Sequence, residues 1–547
     1  MELDEETAQL ASGTMWQNLS NIVVKLASFI YTILIARLVA QDEVGLFYFG
    51  LSIVGIMLIF ADFGLSTAVQ RYIPFHLGRK EKAMAGSIIR FSVMVVTAAL
   101  VIGSAATYLL ADDFANFFHN PGLGPVMRLL SMQLAIYTIF NLLISLLTAF
   151  KQLRGVSVGY ALQNVLKIVT MVLLVFTLGA DAQTLSIAHM LSFVIPCFYL
   201  MWELRKPLAS VGSSVKLSFS SYEPIAREII PFGLTIVGIV LFSNLISYTD
   251  RVMLGYYLQA DVNAQIAIYT MATGFAGLVV IFAGSVLPIF LPVVSELIGK
   301  GDKAQVNKIS QTALRWALFS SIPVAAFICA FAAPILRVLY GPAYESGAWV
   351  LVLFSIGTLL STLGSVQRTA LAGMRLLRVE MISMVCGALA NVALCVLLIP
   401  LYGINGAGFA SLVAFGVMTL INHHYAQKYL GFQFPANTWK NLLAGGVVLV
   451  ALAGIQLVAY DSLVHLPIPI SDGSLAMGVL DKIVKTAILC LFLVLGGLLY
   501  LVLVNLLHLF EHEDRVVFSR ILGKFGVPKD WQNHFARTVF WDKSHHE

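Results

Sequence analysis

Long apolar segments dominate this sequence and limit the folds that are open to it. Fourteen of them are about long enough to cross the hydrocarbon core of a bilayer as helices. They lie near residues 17–40, 45–69, 90–110, 126–149, 157–178, 184–202, 229–257, 264–294, 309–335, 347–370, 380–400, 406–427, 440–460 and 481–506. Because only 12% of the residues are charged, against roughly 25% in a soluble domain, we predict an all-α integral membrane protein. The strict alternation of a membrane β-barrel does not occur.

Basic residues fall almost entirely in alternate loops between these segments. The basic clusters lie at 71–82, 151–154, 205–227, 300–308, 375–378 and 428–440. The opposite loops carry Arg337 and the acidic pair Asp112 and Asp113. Since positive loops stay in the cytoplasm, an even number of spans predicts a multi-pass plasma membrane protein with both termini in the cytoplasm. The net charge of +5 reflects these loops and does not indicate nucleic acid binding.

The chain also repeats itself. The basic turn GRKEKA at 78–83 returns as GKGDKA at 299–304, 221 residues later, and Arg154 and Arg375 show the same offset. Six helices separate equivalent points, which predicts two six-helix lobes related by a pseudo-twofold axis along the membrane normal, plus two C-terminal helices. The predicted domains are an N-lobe at 1–220, a C-lobe at 221–430, a helix pair at 431–507 and a cytoplasmic tail at 508–547.

No catalytic signature interrupts the predicted helices. The sequence has no HExxH, GxSxG or Walker A pattern. Its five cysteines lie in apolar segments and form no CxxC pair. We therefore predict a transporter rather than an enzyme, with no cofactor and no metal site. Transport against a gradient must then use an ion gradient or the gradient of the substrate itself.

Ionisable and amide side chains inside the apolar segments are the candidate substrate-binding residues. A charged residue costs roughly 2.5–3.5 kcal/mol at the bilayer centre, so it usually faces a cavity or a partner. Lys25 and Lys167 lie about 12 and about 15 Å deep along their helices, and Asn164 shares a helix face with Lys167. Arg37 and Arg251 lie near the outer leaflet. The alternative for Lys25 and Arg37 is a side chain that reaches out to the membrane interface.

Asp62, Asp250, Arg315 and Arg368 are the candidate gating or ion-coupling residues. Asp62 is deep enough to pair with Lys25, and a purely structural ion pair is the alternative. Arg315 and Arg368 lie close to the cytoplasmic ends of their helices, where a gate and an interfacial contact both fit. Cations outnumber acids in this set, and a cavity lined by cations concentrates anions. This predicts an anionic substrate, with phosphate as the obvious group.

Five stretches of the chain resemble known sequences. They are ARLVAQDEVGLFYFGLSIVGIMLIFADFGLSTAVQRYI (36–73), DRVMLGYYL (250–258), LPVVSEL (291–297), VLYGPAYESGAWVL (338–351) and ALAGMRLLRVEMISMVCGALANVALCVLLIPLYGINGAGFAS (370–411). The last stretch contains Asn391 and the turn IPLYGINGAG. In this order, over residues 10–430, they resemble the polysaccharide-biosynthesis (Wzx-like) flippases of the multidrug/oligosaccharidyl-lipid/polysaccharide exporter superfamily.

The resemblance implies two six-helix lobes around a central, often cationic cavity that works by alternating access. The implied substrate is an oligosaccharide on a polyprenyl or dolichyl (pyro)phosphate carrier, flipped from the cytoplasmic to the outer leaflet. Its phosphate needs positive partners, and its sugars need polar ones such as Asn141, Gln163 and Asn164. The implied partners are this lipid-linked glycan, membrane lipids, a coupling cation (Na⁺ or H⁺) and glycan polymerase or transferase machinery.

An ion-coupled multidrug or metabolite exporter of the same superfamily is the alternative function. Drug-exporting members usually have twelve spans, so fourteen argue against them, and the arginine-rich opening motif of the peptidoglycan-precursor flippases does not occur here. A membrane glycosyltransferase would need long loops with acidic catalytic residues, whereas the loops of this chain are short. A wide cationic cavity with a lateral opening would favour the flippase, and a compact cavity with a buried acid pair would favour the exporter.

Overall fold

Every regular element in the described part of this computed structural model is helical. The structure describes residues 2–62, 64–211, 223–258, 260–280, 287–374, 376–435, 437–460, 475–507 and 509. The α-helices are α1 (Glu2–Leu38), α2 (Gln41–Asp62), α3 (Leu65–Gly78), α4 (Lys82–Leu109), α5 (Ala111–Phe117), α6 (Leu123–Ala149), α7 (Leu153–Leu178), α8 (Ala182–Leu191), α9 (Val194–Val211), α10 (Glu223–Tyr257), α11 (Val262–Ala276), α12 (Leu287–Gly299), α13 (Lys303–Ala330), α14 (Ala332–Leu339), α15 (Ala348–Gly373), α16 (Leu377–Tyr402), α17 (Ile404–Leu430), α18 (Thr438–Ile455) and α19 (Leu475–Leu506). A short 3-10 helix (Pro342–Gly347) precedes α15, and a π-helical turn (Gln456–Tyr460) follows α18.

Among the described residues, the structure has fourteen helical segments that are long and apolar enough to span a membrane, as predicted. In lipid the backbone must satisfy its own hydrogen bonds, and a continuous helix does so along its whole length. Some hydroxyl groups inside the spans bond to the helix backbone in the same way. Ser52 donates to the carbonyl oxygen of Tyr48 at 2.7 Å, and Thr138 donates to that of Leu134 at 2.7 Å. Such polar residues therefore sit in an apolar helix without an unsatisfied group.

The helix bounds repeat at the offset that the sequence predicts. The helices α1, α2, α4 and α5 begin at residues 2, 41, 82 and 111, and α10, α11, α13 and α14 begin at 223, 262, 303 and 332. Each pair differs by 221 residues. Even the backbone of the two basic turns corresponds, because Lys80 and Gly301 both have a positive φ, of 63° and 75°. The internal repeat is thus confirmed in the helices, while the axis that relates its halves stays a prediction.

The second predicted span, 45–69, is not one continuous helix. It breaks between α2 and α3, where Gly64 has a φ of +68°. An L-residue adopts this left-handed conformation at a cost, whereas glycine does not. A Cβ atom at Gly64 would also overlap the backbone of Gly233 on α10. The break therefore requires glycine for two reasons, the left-handed backbone and the close contact with Gly233. It places Asp62 at the end of α2 rather than inside a helix.

We expect Gly64→Ala to destabilise the protein by at least about 1–2 kcal/mol, the cost of a left-handed alanine alone. The overlap with Gly233 adds to this cost. Gly78→Ala is the matched control, since Gly78 ends the same short helix and a Cβ atom there has no neighbour within 4 Å. The measurement is thermal unfolding of both purified variants in one detergent. Equal midpoints for the two variants would contradict this interpretation of the break.

Two other spans also differ from their predicted bounds. The sixth, predicted at 184–202, consists of α8 and α9, which are separate helices within the candidate span Ala182–Val211. The eighth, predicted at 264–294, has its candidate span at Val262–Val280, and residues 281–286 lie outside the described residues. The predicted cytoplasmic tail at 508–547 also lies outside them, apart from Leu509.

Packing divides the chain into two compact units. The first comprises Met1–Thr270 and Cys395–Ile404, and the second Met271–Leu394 and Asn405–Glu547. The predicted lobes follow the repeat, whereas these units follow contacts, and α10 packs on α2 within the first unit. The boundary at residue 220 stays a prediction.

In the first unit, polar contacts join α1 to α7 and an apolar core joins α3, α4, α6 and α9. Ser20 donates to the carbonyl oxygen of Ser157 at 2.8 Å. Ile73, Leu147 and Leu200 are completely buried in the core. The packing of these helices fixes the positions of α6 and α7 within the first unit.

In the second unit, the two helices predicted outside the repeat pack onto the rest. Helix α18 lies so close to α13 that a Cβ atom at Gly445 would overlap the side chain of Ile322. Tyr500 on α19 donates to the Asn441 side chain on α18 at 3.3 Å. Asn391 donates to Ser411 at 3.3 Å and joins α16 to α17.

Candidate functional site

Near its beginning, α2 packs against the end of α10 and the beginning of α11 with almost no space between them. A Cβ atom at Gly45 would overlap the carbonyl group of Asn263, and one at Gly255 would overlap the ring of Phe49. The side-chain amide of Asn120 donates to the side-chain oxygen of Asn263 at 2.8 Å. These five residues lie at helix ends away from the basic loops, and we call them the outer contact. They close the first unit on that side.

Farther along α2, toward the basic loops, the two helices separate around a pocket of about 330 Å³. The ring of Tyr248 lies against one end of it, where a Cβ atom at Gly55 would come within 2.6 Å of the ring. The contact between Gly64 and Gly233 lies at the other end. Helices α3, α6 and α7 supply the remaining walls. We call this space the α2–α10 pocket.

One wall of the α2–α10 pocket is a polar stripe on α6. Tyr137, Asn141 and Ser145 are spaced four residues apart, which puts them on one helix face. Gln70 on α3 donates to Ser145 at 3.0 Å and connects this stripe to the opposite wall. Among the described residues, the Asn141 side chain has no hydrogen-bond partner within the protein, so its amide is available to a polar ligand.

The opposite wall carries the charge of the pocket. Asp62, at the end of α2, accepts a hydrogen bond from Ser66 on α3. The backbone N–H groups of Gly64 and Ser66 also donate to this carboxylate. A carboxylate has room for about four donors, so Asp62 can still accept a bond from a ligand in the pocket that it lines. In the described lining, Asp62 is accompanied by hydroxyl, amide and apolar groups, without a lysine or an arginine.

Three tyrosines surround the pocket. Tyr160 comes from α7, Tyr248 from α10 and Tyr137 from α6. Asn244 lies one turn before Tyr248 on the same face of α10. The pocket thus combines flat aromatic rings with amide and hydroxyl groups.

The predicted cations lie outside the lining of this pocket. Lys167 is seven residues beyond Tyr160, or about 10 Å farther along α7, and its ammonium group lies 4.6 Å from the centre of the Tyr31 ring on α1. Lys25 is exposed on α1. It does not form the predicted ion pair with Asp62, which is bonded to Ser66 instead. The sequence did not predict the helix break that brings the Ser66 hydroxyl to Asp62.

Of the two predicted outer arginines, Arg251 is held by a neighbouring helix. Arg251 donates to Ser52 on α2 at 3.2 Å and to the carbonyl oxygen of Ser247 at 3.3 Å, and its guanidinium lies 5.8 Å from the Tyr248 ring. It therefore ties α10 to α2 between the outer contact and the pocket. Arg37 is half-buried near the end of α1.

Of the three amides predicted to meet sugars, Asn141 alone is in the lining. Asn164 donates to the carbonyl oxygen of Tyr160 at 3.0 Å and accepts from Ser28 on α1 at 3.2 Å. Gln163 donates to Ser192 at 3.2 Å. Both of these amides are buried between helices, where their hydrogen bonds hold the bundle together.

Asp250 is a buried carboxyl group within the first unit, 2% exposed. It accepts a hydrogen bond from Tyr269, and the thiol of Cys395 lies 3.4 Å from its Oδ1. Arg315 and Arg368 belong to the second unit. Arg315 is buried and donates to Thr312 at 3.3 Å, while Arg368 is half-buried on α15.

Sequence reasoning missed most of the pocket, although a signal was present. Tyr137, Asn141 and Ser145 are polar residues at helical spacing inside an otherwise apolar span, and Asn244 and Tyr248 repeat this pattern. Charged residues within the spans do not indicate this wall, whereas neutral polar residues four apart do, because this spacing places them on one helix face.

The chain matches two family models. The model described as polysaccharide biosynthesis protein matches residues 10–298, and the model described as MatE matches residues 236–397. The longer match covers the outer contact and the whole lining of the α2–α10 pocket, and it contains all of α2, α3, α6, α7 and α10.

Individual proteins and a solved structure resemble the chain over most of its length. An uncharacterized membrane protein of Methanocaldococcus jannaschii, MJ1068, is 25% identical over 81% of this chain and 87% of its own. A probable low-salt glycan biosynthesis flippase of Haloferax volcanii, Agl15, is 24% identical over 85% of this chain and 94% of its own. The lipid II flippase MurJ, in an inward closed conformation, has the same fold, with a TM-score of 0.67 at 14% identity over 90% of this chain and 99% of that one.

These matches agree with the resemblance that the sequence motifs predicted. Because the first family model covers more than half of the chain, this protein belongs to the polysaccharide biosynthesis protein family, within the multidrug/oligosaccharidyl-lipid/polysaccharide exporter superfamily.

Proposed function

We propose that this protein flips an oligosaccharide linked to polyprenyl or dolichyl (pyro)phosphate from the cytoplasmic to the outer leaflet of the plasma membrane. The observation that carries the proposal is the α2–α10 pocket, a polar chamber among membrane-spanning helices. Sugar hydroxyls cross hydrocarbon only at a large cost unless polar partners accompany them. Membership of the family and the similarity to Agl15 support the same function.

Alternating access is the proposed mechanism. In this structure the outer contact is closed, and the pocket lies on the side of the basic loops, which we propose to be cytoplasmic together with both termini. The sugar head group enters the pocket while the lipid tail remains in the bilayer. Opening of the outer contact then releases the head group to the other leaflet. Lys25, Lys167, Arg37 and Arg251 are the proposed partners of the carrier phosphate.

An ion-coupled exporter of drugs or metabolites is the second candidate. The MatE match and the buried Asp250 favour it, because a carboxyl group inside a membrane often carries a coupling ion. An Asp250 that binds Na⁺ or H⁺ also fits an ion-coupled flippase. The fourteen candidate spans and the similarity to Agl15 favour the flippase. The α2–α10 pocket does not decide between the two, because it is compact and its described lining carries a carboxylate without a lysine or an arginine.

A flipping assay in proteoliposomes tests the proposal directly. The protein is reconstituted with a fluorescent oligosaccharide on polyprenyl phosphate, and an external glycan-cleaving enzyme reports the fraction in the outer leaflet. We expect cleavage to proceed beyond the fraction seen in protein-free liposomes. Cleavage that stops at that fraction with folded protein, for phosphate and pyrophosphate carriers and with Na⁺ and H⁺ gradients applied, would favour the exporter.

A further inference from the structure

The composition of the α2–α10 pocket suits the sugar part of the proposed substrate but not its phosphate. Its lining combines three tyrosine rings, the amides of Asn141 and Asn244, and one carboxylate. In the described residues, neither amide has a hydrogen-bond partner within the protein. Polar groups in a low-dielectric space that lack a protein partner are the groups that a bound polar ligand satisfies.

A sugar ring matches this lining. It presents C–H groups on its faces and hydroxyl groups around its rim, as tyrosine presents an apolar ring and a polar tip. Tyr160 is 38% exposed and is packed edge-on against Phe140, so its ring is held in one orientation. Tyr248 is held by close contact with Gly55. These two rings can cover the faces of a sugar while Asp62, Asn141 and Asn244 bond to its hydroxyls.

The charge of the lining is unfavourable for the phosphate of the substrate. Asp62 repels anions, and the described lining supplies no lysine or arginine to offset it. A phosphate group would lie beside an unpaired carboxylate, which is unfavourable in a low-dielectric space. Lys167, about 10 Å farther along α7 than Tyr160, is better placed for the phosphate.

The volume agrees with a small head group. A water molecule takes up about 30 Å³ of liquid volume, so the 330 Å³ pocket holds roughly ten small polar groups, the scale of one sugar ring. The pocket is also at the lower end of the range of about 300–1,000 Å³ that is typical of small-ligand sites.

We propose that the α2–α10 pocket is a subsite for one uncharged sugar ring of the lipid-linked glycan, separate from the place where the phosphate binds. This inference rests on the proposed function and deepens it. Asp62 is the residue that sets the specificity. It favours a neutral sugar with hydroxyl donors and rejects a sugar that carries a carboxylate.

The test compares three lipids that share one carrier and one phosphate. The first is the bare polyprenyl phosphate, the second carries a neutral hexose, and the third carries a hexuronate. Their dissociation constants are measured with wild-type protein and with Asp62→Asn, Tyr160→Ala and Asn141→Leu in nanodiscs. Asp113→Asn controls for loss of a carboxylate, because Asp113 is exposed and away from the pocket. Tyr160→Phe keeps the ring and removes the hydroxyl, so it separates the contributions of these two parts of the side chain.

We expect the wild type to bind the neutral-hexose lipid more tightly than the bare carrier and the hexuronate lipid. Tyr160→Ala and Asn141→Leu should weaken binding of the neutral-hexose lipid about tenfold and leave the bare carrier unchanged. Asp62→Asn should improve binding of the hexuronate lipid. Tyr160→Phe should weaken binding of the neutral-hexose lipid less than Tyr160→Ala does, and Asp113→Asn should behave as wild type.

Three results would overturn the subsite. They are a wild type without preference for the neutral hexose, pocket variants that keep the wild-type preference, and pocket variants that weaken the bare carrier equally. A different result would contradict the proposed function. A wild type that prefers the neutral-hexose lipid but does not flip it would contradict the flippase and leave the sugar subsite standing.

Discussion

Lys167→Ala is expected to abolish flipping while the protein remains folded. Lys167 lies fourteen residues after the beginning of α7, about 21 Å along the helix. In the described residues its ammonium group contacts the ring of Tyr31 and pairs with no carboxylate. A cation at this depth costs several kcal/mol unless a partner offsets the cost. The phosphate of a lipid that is being flipped would be such a partner. Loss of such a charge pair should slow flipping at least about thirtyfold.

The control variants separate charge from packing. Lys167→Met keeps the apolar stem of the side chain and removes the charge, so we expect it to be as inactive as Lys167→Ala. Lys206→Ala removes a lysine that is exposed near the basic loops, and it should flip normally. The measurements are the liposome assay and thermal unfolding of each variant. Normal flipping by well-folded Lys167→Met would remove Lys167 from the substrate site.

Cross-linking the outer contact is expected to stop flipping as completely as the loss of Lys167. Asn120 and Asn263 meet side chain to side chain at 2.8 Å, so cysteines at both positions can be joined by a short, reducible thiol cross-linker. Alternating access requires this contact to open. The joined protein should therefore flip at the rate of protein-free liposomes, and reduction should restore the wild-type rate.

The single variants Asn120→Cys and Asn263→Cys, treated with the same reagent, serve as controls. Cys490 is the native cysteine to replace with serine first, because it is exposed, whereas Cys197 and Cys395 are buried. Full flipping by protein shown to be cross-linked on a gel would contradict the assignment of these residues to a gate.

The sequence predicted the class of fold because the governing interaction is local. Each span is recognisable by its own apolar length, and its helix is required by the need to satisfy the backbone in lipid. The repeat was equally visible, since the basic turns at 78–83 and 299–304 keep their spacing. The motif at 370–411 and its companions predicted the family, which the match over residues 10–298 confirms.

The arrangement of polar side chains was much harder to predict. Asn164 looked like a partner of Lys167 in a cavity, yet it bonds to Ser28 on another helix. Asp62 looked like a partner of Lys25, yet it bonds to Ser66 across a helix break. Polar residues in spans are selected both for packing and for ligands, and sequence spacing within one helix does not distinguish the two.

The sequence by itself determined that this chain crosses a membrane as helices, how often it crosses, and that its halves repeat. The tertiary structure decided which polar residues share a space. That choice depends on close approaches at Gly45, Gly55, Gly64 and Gly255. A missing Cβ atom lets one helix touch another, and the distance between helices then closes the outer contact and leaves the α2–α10 pocket beside it. Such distances arise between helices and are not encoded within any one of them.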